Sequence, residues 1–304
     1  MCRLVRRKTS LRFETSMEEL RDIMAKYDES YINTHLRAPA DINKFATVFY
    51  KDTADIYDCI TRIRNIERNP TGFSLHDAPI LGLLVRIWKL LREIIRYYEE
   101  DNAEIIAVLE RPLIEASVTA EFLLRSNVAV VEDYRKCSYK DRLRMLRELA
   151  EGSAFFNTKA GQRLLKSIRE KMAFEGFTEG DFDQQKRNRW RLQNKRFWDI
   201  FAEVIGEHLY ACTYGLMSES VHGSWNESMD YSLRKLEDGT FSVYPYFQPA
   251  DIRFVTPTLN FCNPPFRSWL KRIEVDEPYV FDALNLIDRV NKAIFIRFDE
   301  EYDG

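Results

Sequence analysis

The stretch Ile80-Leu-Gly-Leu-Leu-Val-Arg-Ile-Trp-Lys-Leu-Leu-Arg-Glu-Ile94 decides the fold class. Ile80, Leu83, Leu84, Ile87, Leu90, Leu91 and Ile94 recur three and four residues apart, the spacing that gathers side chains on one side of an α-helix. So wide an apolar stripe predicts a deeply buried helix, ending near Glu99-Glu100-Asp101-Asn102. Arg86 interrupts the apolar window Pro79 to Trp88 within about ten residues, far short of the roughly 20 that cross a bilayer. No membrane span or membrane partner is expected.

Outward from this helix the same period recurs. Upstream, Ile42, Phe45, Phe49, Ile56, Ile60 and Ile63 predict a long helix over about 41–68, stopped by Asn69-Pro70-Thr71-Gly72. Ser16 with Glu19 reads as a capping box opening a short helix that carries Leu20, Ile23 and Met24. Downstream, a helix over about 103–126 contains Pro112, which removes a donor and predicts a kink near Arg111. Two charged helices come next, near 131–151 and 158–174, before Gly176 and Gly180. A long, central helix is expected over about 190–221.

After Gly223 the pattern changes. Residues 231–236 and 241–244 flank Glu237-Asp238-Gly239-Thr240, whose Asp-Gly pair favours a hairpin turn. Pro245, Pro249, Pro257, Pro264 and Pro265 punctuate an irregular stretch, and Asp276 with Pro278 opens a terminal helix whose Phe281, Leu284, Ile287, Val290, Ile294 and Phe298 face inward. The fold expected is all-α: a multi-helix bundle with a small β-hairpin and an irregular segment before the C-terminal helix. It forms one helical domain over 16–304 with the hairpin inserted at about 228–248, preceded by a flexible basic tail over 1–15.

Composition narrows the class. With 45% hydrophobic and 31% charged residues and 20 Phe, the 304-residue chain can build a sizeable core, which excludes global disorder. Its 45 basic and 48 acidic residues nearly cancel, so attraction to nucleic acid would have to come from local clustering. Five scattered cysteines without a CxxC pair argue against a disulfide framework and a cysteine zinc site, and fit a reducing, cytoplasmic setting. Gly-rich phosphate loops and a Gly-x-Ser-x-Gly turn are absent. No cofactor or metal is expected; a homo-oligomer stays open, and no protein partner is named.

Three constellations could carry chemistry. Arg111 and Glu115 stand four residues apart on one helix face beside Pro112, placed for contact; an exposed ion pair there would contribute well under about 1 kcal/mol. Ala211, Gly215, Ser218 and His222 form a second face, mostly small, ending in an imidazole suited to general acid/base work or to a cap. Lys186, Arg187, Arg189, Arg191, Lys195 and Arg196, interleaved with Trp190 and Trp198, could pair phosphates and stack bases, or could be a solvated helix face over packed tryptophans. Glu219-x-x-His222 has the spacing of ferritin-like di-iron bundles but occurs once.

Arg111-Pro-Leu-Ile-Glu115, then Tyr214-Gly-Leu-Met-Ser218-Glu-Ser-Val-His222-Gly223-Ser224, resembles the bacterial domain-of-unknown-function family numbered 5677, with similarity from about Asp41 to the terminal helix. The resemblance implies a helical fold and singles out Arg111, Glu115, Ser218 and His222, without a reaction. A more distant analogy runs to the HEPN superfamily of helical ribonucleases, which also place a histidine late in a bundle. Their motif needs an Arg four to six residues before that His, whereas Met217, Leu216 and Gly215 stand before His222, so Arg111 would have to supply the charge from another helix.

The residues support two readings. One is a HEPN-like ribonuclease or hydrolase of a phosphate-containing substrate in a defence context, with RNA as partner. In it His222 is the acid/base, Arg111 stabilises negative charge, Glu115 orients Arg111, and Ser218 orients His222 or substrate. The other is a non-catalytic regulatory or binding module in which these four residues are a structural polar network.

Overall fold

A computed structural model describes residues 16–37 and 39–302. The basic tail expected over 1–15 lies outside the described residues. In chain order the helices are α1 (16–25), α2 (Glu29–His35), α3 (Pro39–Arg62), α4 (Ala78–Glu99), α5 (Ala103–Arg125), α6 (Val128–Cys137), α7 (Lys140–Ala150) and α8 (Lys159–Glu175). Next come α9 (Asp183–Arg187), α10 (Phe197–Val204), α11 (Leu216–His222), the single turn α12 (Trp225–Glu227), strands β1 (Leu233–Lys235) and β2 (Phe241–Val243), then α13 (Thr256–Arg272) and α14 (Pro278–Tyr302). The fold is an all-α bundle carrying one small hairpin. Among the described residues no helix is long and apolar enough to cross a membrane.

The chain divides into two compact units, one formed by residues up to Arg125 together with Phe201 onward, the other by Ser126–Ile200. In the first, α5 packs against α4, α13 and α11, while α3 packs against α4 and α14. Six of the seven residues of the expected α4 stripe, Ile80, Leu83, Leu84, Ile87, Leu91 and Ile94, are buried, and Leu90 is partly exposed. Tyr57 of α3 stacks on Phe266 of α13 with centroids 4.1 Å apart and planes 6° from parallel. Asn263 of α13 donates to the Leu284 carbonyl at 2.9 Å and to Asp288 Oδ1 at 2.6 Å, tying α13 to α14.

Three stretches depart from the periodicity reading, the first being the helix expected near 131–151, which is two, α6 and α7. The irregular proline-rich segment ends at residue 255; Pro257, Pro264 and Pro265 all lie in α13. Pro257 takes the first turn, where a missing N–H costs nothing. Pro264 and Pro265 sit inside, and α13 survives them because tertiary burial outweighs propensity: Phe266, Trp269 and Leu270 are fully buried among α5, α14, α3 and α4. The long helix expected over 190–221 is instead a series of short ones. Arg189, Trp190, Gln193 and Asn194 adopt left-handed backbone with φ of 53°, 58°, 50° and 57°. Gly206, at φ 123°, turns the chain again after α10.

The hairpin forms where the Asp-Gly pair placed it. Leu233 pairs with Val243, Arg234 with Ser242 and Lys235 with Phe241, antiparallel. Gly239 takes φ 83°, and the Asp238 carboxylate accepts from the Thr240 amide at 2.9 Å and its hydroxyl at 2.6 Å.

The second unit has its own core of Tyr139, Leu143, Ile168, Met172 and Phe182. Glu175 closes it from the end of α8, accepting from the Tyr139 hydroxyl at 2.6 Å and from Arg135 Nε at 2.8 Å. Gly176, left-handed at φ 70°, ends α8 where the sequence predicted a stop.

The Tyr57–Phe266 stack yields a stability prediction. Phe266→Ala should lower the free energy of denaturant unfolding by about 3–5 kcal/mol through the cavity it leaves. Val243→Ala, at a position 78% exposed, should stay within about 0.5 kcal/mol of the parent. Equal losses would contradict this account of the core.

Candidate functional site

Helix α5 runs unbroken through Pro112 and carries Glu110, Arg111 and Glu115. Opposite it, Ala211–Gly215 form one π-helical turn that leads into α11. Such a turn admits one extra residue per loop and re-aims the next stretch of helix. Here it buries Tyr214, 6% exposed, and α11 then runs only to His222, because Gly223 takes the left-handed φ of 61°. Ser224 starts the next turn by accepting from the Glu227 amide at 3.1 Å and donates to Glu219 Oε2 at 3.2 Å.

Arg111 joins the two helices. Its Nη1 lies 2.9 Å from His222 Nε2, and its guanidinium carbon sits 4.9 Å from the centre of the Tyr214 ring. An arginine can only donate, so Nε2 accepts and the neutral imidazole carries its proton on Nδ1. The Tyr214 hydroxyl donates to Glu115 Oε2 at 3.4 Å. Tyr214 is held above the usual phenol range, first by burial and further by the Glu115 charge, against the opposing effect of Arg111. His222 and Glu115 are exposed, Arg111 is half-buried, and the arrangement presents a guanidinium and an imidazole together at the surface.

Four residues chosen from sequence therefore fall on two touching helices, but with altered partners. Glu115 enters through Tyr214; among the described residues it forms no ion pair with Arg111. Ser218 donates its hydroxyl to the Tyr214 carbonyl at 2.8 Å, one turn back on its own stretch of chain, and not to His222. Tyr214, quoted in the motif but given no role, is the residue on which the others converge. Among the described residues no three His, Cys, Asp or Glu side chains are grouped as a metal site requires.

The basic run lies in the second unit. Arg187, Arg189 and Arg191 are exposed; Lys186 pairs with Asp183 at 2.9 Å, and Arg196 with Asp199 at 3.2 Å. Lys195 is half-buried. Trp190 packs on the core, its ring 6.2 Å from Phe182, whereas Trp198 lies under Arg196 at 5.5 Å. Asp133 holds the turn beneath, accepting from the Gln193 amide at 2.6 Å and from Gln185 Nε2 at 2.9 Å.

Glu110, beside Arg111, was not singled out by sequence. It is 5% exposed and accepts from Thr258 Oγ1 at 3.1 Å. Burial pushes its carboxyl up to about 8, the Thr258 bond opposing. The signal was present in the apolar period: Ile106, Leu113, Ile114 and Ser117 stand four, three, four and seven residues from it and are all buried.

An unfolded Glu110 ionises near 4.5 while the folded one keeps its proton to about 8, so the folded state binds the extra proton between these values. Stability from this residue is full below about pH 4.5 and falls as pH rises toward about 8. Relative to the parent, Glu110→Gln should gain melting temperature progressively across that window. Parallel pH curves for the two proteins would contradict the buried, protonated carboxyl.

Both motif segments lie inside a family match that spans residues 77–240, from the start of α4 to the hairpin turn. No curated protein and no solved structure matches the chain. The match covers more than half of the 304 residues, and the chain belongs to the family of unknown function DUF5677.

Proposed function

We propose that the chain is an enzyme acting on a phosphate-containing substrate, with RNA as the substrate class, His222 as general acid/base and Arg111 as the anion-binding cation. One observation carries this reading: Arg111 Nη1 and His222 Nε2, 111 residues apart in sequence, meet at 2.9 Å at the surface. An oxyanion arriving between them would draw the guanidinium away and free Nε2. A forked, permanently charged donor beside an unprotonated ring nitrogen suits phosphoryl transfer, which needs charge stabilisation and a proton acceptor at the same atom cluster. Nε2 takes the proton from the attacking oxygen as its bond to phosphorus forms, and the proton returns to the leaving oxygen as the old P–O bond breaks. Tyr214 and Glu115 hold the guanidinium side in place. The supply of arginine from a second helix also supports the HEPN-like analogy in the one respect where the linear motif departs from it. Arg187, Arg189 and Arg191, exposed on the second unit, are a separate candidate for sequence-independent phosphate contacts.

The rival reading, a non-catalytic module, draws on Ser218 and Tyr214: the Ser218 hydroxyl is spent on its own helix and Tyr214 is buried, as in a network that only fixes α11 on α5. Purified protein incubated with end-labelled RNA at low and moderate salt separates the two. The enzyme reading expects cleavage and salt-weakened binding. It also expects a loss of about a hundredfold or more in rate for His222→Ala and Arg111→Ala, with melting temperatures near the parent's. Absence of cleavage, or cleavage that His222→Ala leaves unchanged, would refute it. A drop in melting temperature without a rate defect in the folded fraction would favour the module.

A further inference from the structure

Glu110 lines a cavity of about 350 Å³ in the first unit. Its walls come from α5, the π-turn, α11, residues 227–231 and residues 253–261. Leu216, Met217, Phe254, Pro257 and Phe261 supply an apolar side, and Glu219, Glu227 and Asp230 join Glu110 as carboxyls. None of Arg111, Glu115, Ser218 or His222 lines it, so it stands apart from the proposed acid/base site.

The charge in this cavity is unbalanced. Arg253, the cation on its wall, forks onto Asp251, with Nε 2.9 and 3.0 Å from the two carboxylate oxygens. Tyr231 is raised above the usual phenol range, first by burial and then by Asp230, Glu110, Glu104 and Glu227. Glu104 is itself raised by burial and by Glu227, the Gln248 backbone opposing. A second observation points to a ligand independently of this clustering. Glu110 is more than nine-tenths buried, Thr258 reaches only its Oε1, and among the described residues no donor is bonded to Oε2. The free oxygen of this buried side chain, without a protein partner on the wall of a cavity, is placed to meet the polar head of an entering molecule.

We propose that this cavity binds a small organic cation, its ammonium or guanidinium head against Glu110 and its apolar body against Met217, Phe254 and Phe261. At neutral pH Glu110 holds its proton, so an entering ammonium displaces that proton to solvent and leaves an ammonium–carboxylate pair. The groups facing it are Glu219 on α11, Glu227 and Asp230 with Tyr231 on the succeeding turns, and Arg253 with Thr258 near the start of α13. All but Arg253 and the neutral Thr258 favour a cation once ionised. Binding therefore tightens as pH rises from about 6 to about 9.

Three probes of equal length test this on the full chain by titration calorimetry: n-hexylammonium, hexan-1-ol and hexanoate. The ammonium should bind about tenfold or more tighter than the alcohol at about pH 9, a charged pair being the difference, and hexanoate weakest. At about pH 7, buffers of different ionisation heat should show up to one proton released per hexylammonium bound, and none in Glu110→Gln. Glu227→Gln, at a half-buried position, should weaken the ammonium but not the alcohol, and serves if Glu110→Gln melts early. Equal binding of the three probes, preference for hexanoate, no binding, or unchanged proton release in Glu110→Gln would each overturn the proposal.

Discussion

Burial of helix α5 is the constraint on which the first unit depends. Its residues from Ala103 to Leu123 are packed by α4, α13 and α11, and its own apolar stripe is nearly continuous. Burial of that extent must hold polar side chains that cannot leave, and Glu110, Ser117 and Glu121 are all buried with it. Each is answered differently: Ser117 bonds back to the Leu113 carbonyl at 2.9 Å, Glu121 takes Arg125 at 2.7 Å and Ser268 at 3.1 Å, both on Oε1, and Glu110 takes Thr258, its one donor among the described residues. A carboxyl buried in this way keeps its proton, the Thr258 hydrogen bond opposing. On the edge of the same helix, Arg111 escapes burial by turning onto Tyr214 and His222.

Helix α11 consequently serves two neighbours. Ser218 and His222 belong to the surface network around Arg111, while Leu216, Met217, Glu219 and Ser220 line the cavity beside Glu110. Seven residues can do both because the helix is set by a π-turn before it and a left-handed glycine after it, and buried Tyr214 is its anchor. The proposed chemistry at His222 and the proposed occupancy of the cavity thus share a short segment of backbone, bounded by the π-turn and by Gly223.

The elements that were legible in sequence are those whose information is local. The α4 stripe, the α8 stop at Gly176 and the Asp238-Gly239 hairpin are all written within a few residues, and each forms where the pattern put it. The illegible elements depend on partners distant in sequence. Pro264 and Pro265 read as breakers, yet α13 holds because Trp269 and Phe266 are packed from all sides. The apolar spacing over 190–221 reads as one helix, but Asp133, some 60 residues upstream, fixes Gln193 in left-handed backbone and ends it. Arg111 and His222 were paired through family resemblance, not through periodicity, which carries no sign of a contact between separate helices. The role of Tyr214 and the partner of Ser218 were not legible, since both arise from the π-turn; the burial of Glu110 was, in the spacing of its apolar neighbours.

The tautomer of His222 tests the central geometry most directly, because the Arg111 contact admits only an Nε2 lone pair. Nitrogen-15 NMR of the imidazole in its neutral form, assigned by comparison with His222→Ala, should show the proton on Nδ1, with Nε2 as the unprotonated nitrogen. A ring protonated at Nε2 would point an N–H at the guanidinium and contradict the Arg111–His222 pair on which the proposed chemistry rests.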